Sequence, residues 1–369
     1  MGRLTRGQIQ ERNRAKVLAA AREEFLQRGF RNAMVDAIAE RAELTRGAVY
    51  SNFSGKRSLY FGVLADLAER GPAPALQEAG RNAEDALGAF ARAWLSRLPL
   101  ATDDPRGTSR LGMELLTEVL SDERLRSAWA QLMSLDAVLL GLALERLRAP
   151  GVPPGRLVRL AEMVLTVLHG AGQMAAAAPG FSDPFDVVGA CRHLAGLDLG
   201  NGWFVPPFLT QAMPVDEAWS PPPAVDLVTG KQANMAGDRV VAILGVHRLS
   251  AAEEAVRAGS AGSPVTCVVV SGEPDELRPL ARLAVVEACS CLRQAFPPQA
   301  WPLLQVVCDE SGALAKAAGA TSVSNDTEAA VRIKGGRVLA LAEGRGACHV
   351  VASMDPTKPM SQPRKPEST

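Results

Sequence analysis

No Cys-x-x-Cys pair occurs among the six cysteines of this 369-residue chain, and their spacing is irregular, so neither a disulfide framework nor a zinc ribbon is indicated. Reduced thiols in a cytoplasmic protein are the economical expectation. The N-terminus, Met1-Gly2-Arg3-Leu4, lacks the apolar stretch of a signal peptide. No stretch reads as a membrane span either: the best uncharged run, Met163–Ser182, contains His169, Gln173, three glycines and Pro179, which suits a buried or interfacial helix. The GxSxG, HExxH, Walker and Rossmann signatures are missing, so no catalytic residues, metal site or cofactor are expected, and the chain does not read as an enzyme. Lysine is scarce, 7 against 33 arginines, and net charge is absent, with 40 basic residues against 40 acidic ones.

That neutrality is unevenly distributed. Residues 1–61 hold twelve Lys/Arg and six Asp/Glu, a net of +6, which leaves −6 for residues 62–369. A basic arm on a weakly acidic body points to a polyanionic partner for the arm. With 47% hydrophobic residues the chain can build full cores, and at about 150 residues per domain its length suggests two or three domains.

Residues 10–200 carry helical periodicity, as in Val17, Leu18, Ala21, Phe25 and in Leu87, Phe90, Ala91, Trp94, Leu95, Leu98. Further helices are expected near 56–70, 108–121, 123–148, 156–178 and 184–197. They are separated by Gly71-Pro72, Asp104-Pro105, Pro153-Pro154 and Pro179-Gly180. From 201 to 236 a segment with six prolines, interleaved with Trp203, Phe204, Phe208 and Trp219, reads as an extended linker, partly docked. Beyond it, β-rich runs at 239–246, 265–271, 303–308, 329–334 and 337–342 alternate with helices at 250–258, 274–295 and 311–319. Gly335-Gly336 marks a hairpin, so a mostly parallel sheet closed by an antiparallel pair is expected over 237–354. The tail 355–369 has four prolines and no core former and reads as disordered.

The segment 34–53 carries the functional signal. Val35, Ile38, Ala39 and Ala42 make the inner face of one short helix, and Leu44, Val49 and Phe53 continue that core across a three-residue turn, with Thr45 placed to cap a second short helix. This is the pattern of a helix-turn-helix. The second helix exposes Arg46, Gly47, Tyr50, Ser51 and Asn52, which are groups that bond base edges or phosphates, with Gly47 allowing close approach.

The run Ile38-Ala39-Glu40-Arg41-Ala42 … Thr45-Arg46-Gly47-Ala48-Val49-Tyr50-Ser51-Asn52-Phe53-Ser54-Gly55-Lys56, preceded by Glu24-Phe25-Leu26-Gln27-Arg28-Gly29-Phe30, resembles the DNA-binding domain of TetR-family transcriptional regulators. The resemblance implies a domain over 1–61, a helical ligand-binding and dimerisation domain over 62–200, and a homodimer on a near-palindromic double-stranded DNA operator. It implies base contacts from Thr45, Arg46 and Ala48, with Arg46 the candidate for guanine. Tyr50, Asn52 and Lys56 would then meet phosphates. It also implies a small-molecule effector of unknown identity and, by family habit, repression.

One residue departs from the family pattern: Glu43 stands where glycine is usual before the apolar residue of the turn, in a left-handed position. Packing of the last two helices, 156–178 and 184–197, against a second subunit would use the small residues Gly170-Ala171-Gly172 and Ala175–Ala178. Candidate pocket residues are Phe90, Trp94, Met113, Leu116, Trp129 and Met133, each of which also serves as an ordinary core residue; His169 and His193 read as interface or core imidazoles.

Family members of ordinary length stop near residue 200. The added region resembles the thioredoxin fold in element order, without the redox cysteine: Ser271-Gly272-Glu273-Pro274-Asp275 occupies the loop where a thiolate is needed, and Asn325-Asp326-Thr327 stands where a cis-proline is expected. Cys289 and Cys291 are expected on different helix faces, and Cys267 and Cys308 are expected buried and inert. The alternatives to a DNA-binding regulator are a thiol-responsive regulator, a thioredoxin-fold oxidoreductase with a helical accessory, and a scaffold with a vestigial arm.

Overall fold

A computed structural model of the chain describes residues 6–70, 79–98, 108–148, 155–200, 202–259, 262–273, 275–320 and 322–354, with backbone only for Arg6 and 108–110. The turns expected at Gly71-Pro72, Asp104-Pro105 and Pro153-Pro154 and the tail 355–369 lie outside the described residues.

Helix α1 (Arg6–Asn32) buries Val17, Ala21 and Phe25 along one stripe and is broken at Gly29, whose φ of 71° only glycine adopts without strain. That break folds Phe30 back onto Phe25 and Tyr60, at centroid separations of 6.1 and 4.7 Å. Helices α2 (Val35–Arg41), α3 (Arg46–Tyr50) and α4 (Lys56–Arg70) follow. Helix α5 (Ala83–Leu95) starts where the Asn82 side chain accepts the Asp85 amide at 2.9 Å. A 3-10 stretch, Thr108–Glu114, leads into α6 (Leu115–Leu120). Asp122 caps α7 (Glu123–Arg146), and after α8 (Val158–Ala177) Asp183 caps α9 (Pro184–Leu194), with Pro184 in the first turn where its missing N–H costs nothing. Among the described residues α7 is the one helix long and apolar enough to cross a membrane, and most of that apolar stretch is buried against its neighbours. The turn between α8 and α9 uses Gly180 at φ 81°.

The remaining elements run β1 (Met213–Ala218), β2 (Val225–Asp226), β3 (Lys231–Gln232), β4 (Arg239–Gly245), α10 (Ala251–Ala258), β5 (Val265–Val270), α11 (Leu277–Ala295), β6 (Leu304–Cys308), α12 (Ala313–Ala317), β7 (Glu328–Lys334), β8 (Arg337–Glu343) and α13 (Ala347–Ser353). Six strands form one sheet in the order β1-β8-β7-β4-β5-β6. β4, β5 and β6 are parallel; β7 and β8 are antiparallel, joined by Gly335 and Gly336 at φ 56° and 75°, the two positive values a tight hairpin demands. Every residue of β4 and β5 is buried, as expected of central strands covered on both faces.

Besides the short pair β2–β3 inside the expected linker and the unexpected helix α13 after the last strand, two larger features differ from the sequence reading. First, residues 213–218, within the segment read as a linker, form β1, which pairs antiparallel with β8. Pro214 hides this strand from sequence rules but is tolerated because β1 lies at the sheet edge. The rest of the segment is pinned as well: the Trp219 indole N–H donates to the Met235 carbonyl at 2.8 Å, and buried Asp226 accepts the Val306 amide at 3.1 Å. Second, the chain divides into two compact units, and residues 273–301 belong with the helices of residues 1–201, not with the α/β unit formed by 202–272 and 302–369. Helix α11 packs on α4, α5 and α7. None of its residues from Leu277 to Ala295 is exposed, so it is covered on more sides than a single sheet face would cover.

Gly141 on α7 marks a close crossing, because an added Cβ would stand 2.8 Å from the backbone N and Cα of Val158 at the start of α8. Gly141→Ala therefore loses about 1–3 kcal/mol to the clash despite alanine's better helix propensity; a fall in the urea unfolding midpoint reads this out.

Candidate nucleic-acid interface and sensor cavity

The reading head is built from α2, a tight turn and α3. Ile38, Ala39, Ala42, Val49 and Phe53 are buried between them, and Val35 and Leu44 are partly covered. The turn places Glu43 at φ 57°, the left-handed conformation its position demands, at a cost of roughly 1 kcal/mol for a residue with a Cβ. The Glu43 and Leu44 amides donate to the Glu40 and Ala39 carbonyls, both at 3.0 Å, which closes α2, and the Glu43 carboxylate meets Lys16 at 3.3 Å. Thr45 then begins α3, its hydroxyl accepting the Ala48 amide at 3.2 Å.

Of the residues singled out from sequence, Thr45, Arg46, Gly47, Tyr50 and Ser51 are exposed, while Ala48 and Asn52 are half-buried. Arg46 is held by Asp36 at 3.1 Å and lies over the Tyr50 ring, 5.5 Å from its centroid. Ser51 and Asn52 both donate to the Ala48 carbonyl, at 2.9 and 2.8 Å, which fixes their side chains at the end of α3. The bare face of Gly47 is not required by packing: an added Cβ would find only the Thr45 hydroxyl, 3.9 Å away.

Lys56 has a partner the sequence did not disclose. Its ammonium donates to the Arg31 and Ala33 carbonyls at 2.9 and 3.4 Å and sits over the Phe30 ring, so it closes the C-terminal end of α1. Sequence reasoning also missed Glu24, which is almost fully buried, accepts the Met34 amide at 3.3 Å and pairs with Arg28 at 3.2 Å. It ties the Met34 amide, at the head of α2, whose own side chain makes no capping bond.

The helical unit holds a cavity of about 150 Å³. Trp94, Met113, Leu116 and Trp129 line it, as the candidate set has it; Phe90 and Met133 do not. Phe90 is stacked behind Trp94 at 6.2 Å and supports it from the core. The residues sequence reasoning passed over are polar. His169 stands edge-on to both tryptophans, at 4.9 and 5.8 Å, and its Nε2 has no hydrogen-bond partner. Arg97 donates to the main-chain carbonyl of Glu287 at 3.0 Å, and the Glu287 side chain reaches the cavity wall from α11. Asp136, 2% exposed, lies on α7 two turns beyond Trp129 and interacts electrostatically with Glu287. Burial raises both carboxyls above the usual carboxylate range and lowers the His169 imidazole to about 4. The signal available beforehand was Asp136 itself, the one charge between Arg126 and Glu145.

Residues 17–63 match the model of bacterial regulatory proteins of the tetR family. The N-terminal domain is of the TetR type. Over 65 residues, 18% of its length, the chain is 42% identical to the HTH-type transcriptional regulator SrpR of Pseudomonas putida, covering 30% of that protein. It is likewise 42% identical over 65 residues to the uncharacterized HTH-type transcriptional regulator TtgW, also of Pseudomonas putida, covering 48% of it. The chain thus spans less than half the length of these curated relatives, and the likeness is that of the TetR-type domain. Among solved structures, a transcriptional regulator from Rhodococcus sp. Rha1 aligns with 50% of this chain and 94% of its own, at 22% identity and a TM-score of 0.34. NalD, the secondary repressor of the MexAB-OprM multidrug efflux pump in Pseudomonas aeruginosa, aligns with 50% of this chain and 95% of its own, at 23% identity and a TM-score of 0.31.

The depressed imidazole has a thermodynamic consequence. Folded, His169 stays neutral down to about pH 4, while in the unfolded chain it takes up a proton near 6.5. The unfolded state therefore binds more protons in that window, so the His169 contribution is complete above about pH 6.5 and is lost as pH falls toward 4. Between pH 7 and 4 the native chain should lose about 2–3 kcal/mol more stability than His169→Phe; the difference between their urea titrations at the two pH values isolates this group from the carboxyls.

Proposed function

We propose that the chain is a DNA-binding transcriptional regulator, a homodimer that recognises a near-palindromic operator through α3 and responds to a small molecule held in the helical unit. The observation that carries the reading is the capped helix-turn-helix with Arg46, Gly47 and Tyr50 presented together on its outer face, within the stretch of TetR type. Arg46 is held beside Asp36 and Tyr50 on the exposed face of α3, and the role we assign its guanidinium is a bidentate contact to guanine, made by exchanging these exposed partners for the base. Repression is the output we favour, since a regulator seated on its operator excludes other proteins without further machinery.

Dimerisation is supported by the outer surface of α8 and α9. Phe181 and Phe185 are 74% and 82% exposed, Met163 and Met174 are exposed beside them, and Gly170 and Gly189 have nothing within 4 Å of an added Cβ. Apolar side chains flanking bare glycines suit close helix–helix packing against a second copy.

For the α/β unit we favour a redox-inactive, thioredoxin-like core formed by β8-β7-β4-β5, with β6 and β1 added at its two edges. Ser271 and the Gly272 amide both bond the Asn325 side chain, at 3.0 and 3.1 Å, where a redox protein needs a free thiolate. All six cysteines are unbridged, and burial raises the thiols of Cys191 and Cys291 to about 11 and those of Cys267 and Cys348 further. Such thiols are poor nucleophiles. Cys289 and Cys291 are both fully buried, since α11 is covered on several sides, and Cys308 is half-buried. No group of three or more His, Cys, Asp or Glu among the described residues is arranged to hold a metal ion.

The test is capture of fragmented DNA of the source genome on purified protein, followed by sequencing. Enrichment of a few sites sharing an inverted repeat is expected; retention without sequence preference defeats the reading. On a recovered site, Arg46→Ala should weaken binding about tenfold or more with an unchanged unfolding midpoint, and affinity should fall steeply with salt. Phe185→Asp should convert the dimer to a monomer by light scattering; a native chain already monomeric at micromolar concentration would refute the dimer.

A further inference from the structure

Helix α11 lies outside the TetR-type stretch, and it closes the sensor cavity with the one acidic side chain between Leu277 and Ala295, Glu287. Opposite, α7 places Asp136 in an otherwise uncharged stretch, and the two carboxyls are near enough to influence each other. One guanidinium, Arg97, accompanies them, and its Nη1 is engaged by the Glu287 main-chain carbonyl. The groups around Glu287 are therefore Arg97 at the end of α5, Asp136 on α7, His169 on α8, and Cys291 and Arg293 on α11 itself.

Two observations say what the cavity lacks. His169 Nε2, in the cavity wall, and Asp136 Oδ1, on the α7 residue that Glu287 influences, are buried without a hydrogen-bond partner, and leaving such atoms unmatched is costly. The wall itself carries one carboxyl, Glu287, and the neutral His169 imidazole, with the Asp136 carboxyl within electrostatic reach of Glu287. An anion placed there would meet Arg97, already engaged by the Glu287 main chain, but also the Glu287 carboxyl and the negative faces of two tryptophans. A cation with several N–H donors meets the opposite situation, since it satisfies the acceptors and gains from the ring quadrupoles. A volume of about 150 Å³ is that of a cavity that takes a single benzene ring.

We infer that the cavity is a site for a small aryl-alkyl ammonium, its ring against Trp94 and Trp129 and its charged nitrogen directed to Glu287, so that α11 supplies the carboxylate that recognises the effector. The inference rests on the ligand-responsive reading proposed above and gives it a chemical class. Burial leans the two carboxyls toward their uncharged forms when the cavity is empty, and the cation is the group that holds them ionised.

The experiment uses the full chain and three probes of nearly one shape: benzylammonium, benzyl alcohol and benzoate, titrated by tryptophan fluorescence and calorimetry. Benzylammonium should bind about tenfold or more tighter than benzyl alcohol, with benzoate weakest. Glu287→Gln should abolish that preference while retaining benzyl alcohol binding, and Asp136→Asn should reduce it by a smaller factor. Equal or tighter binding of benzyl alcohol or benzoate overturns the inference, as does a preference that survives both substitutions. Genomic DNA capture on the same preparation separates the two ideas: DNA capture without binding of any probe defeats this inference alone, whereas selective cation binding without DNA capture defeats the regulator and leaves the site.

Discussion

A buried hydroxyl holds the helix-turn-helix domain to the floor of the cavity in the helical unit. Tyr60, on α4, is 1% exposed; it packs edge-on against Phe25 at 5.5 Å and beside Phe30 and Phe61, and its hydroxyl donates to the Leu111 carbonyl. Leu111 lies in the 3-10 stretch two residues before Met113, which lines the cavity. The joint is stiff for two reasons. Its rings fill the space between α1 and α4, and its one polar atom has no access to water if the bond is broken, a loss of about 1–3 kcal/mol. A shift of the 3-10 stretch must therefore carry Tyr60, and with it α4 and the exit of α1, or forfeit that bond. The exit of α1 also approaches the 3-10 stretch closely at Gly29, where an added Cβ would stand 3.2 Å from the Glu114 carboxylate.

Helix α11 reinforces the same axis from outside the TetR-type stretch. Near its start, Glu276 pairs with Arg57 at 2.7 Å, one residue beyond the lysine that closes α1, and the Asp275 carbonyl accepts the Ser58 hydroxyl at 2.6 Å. Arg57 is shared with Asp122, the cap of α7, at 3.1 Å. Near the middle of α11, Glu287 stands at the cavity. One helix thus touches the base of the helix-turn-helix domain at one end and the cavity further along, and the ion pairs at its start are half-buried, where charge pairs are worth more than at an open surface.

Much of this was legible, and the residues show why. The turn before α3 needs a left-handed residue, so Glu43 could be assigned φ > 0 because the TetR pattern it resembles has glycine there; Thr45 before a short amphipathic run is a cap by chemistry; Gly335-Gly336 between β-rich runs is a hairpin by backbone freedom. These are local rules, and locality is what a sequence encodes directly. β1 was not legible because Pro214 and two acids spoil its pattern, and only its place at an edge makes them harmless. The placement of α11 was not legible for a different reason: a helix with this many apolar residues states that it is covered and not by what. Lys56 follows the same logic, since its attachment to the Arg31 carbonyl depends on a bend 25 residues earlier. Phe90 and Met133 were named for a cavity they do not reach, because periodicity separates buried from exposed and does not distinguish a lining ring from the ring supporting it.

Two glycines show how packing separates structure from function. Gly141 is demanded by the fold, since the backbone of Val158 occupies the place of its missing Cβ. Gly47 is demanded by nothing inside the molecule: its space is open, its helix is five residues long, and glycine there costs about 0.5–1 kcal/mol relative to alanine. A residue that weakens its own helix without relieving any internal crowding leaves its open face available to a partner. On α3, between Arg46 and Tyr50, a bare stretch of backbone with a guanidinium beside it is what the DNA contact proposed above would use.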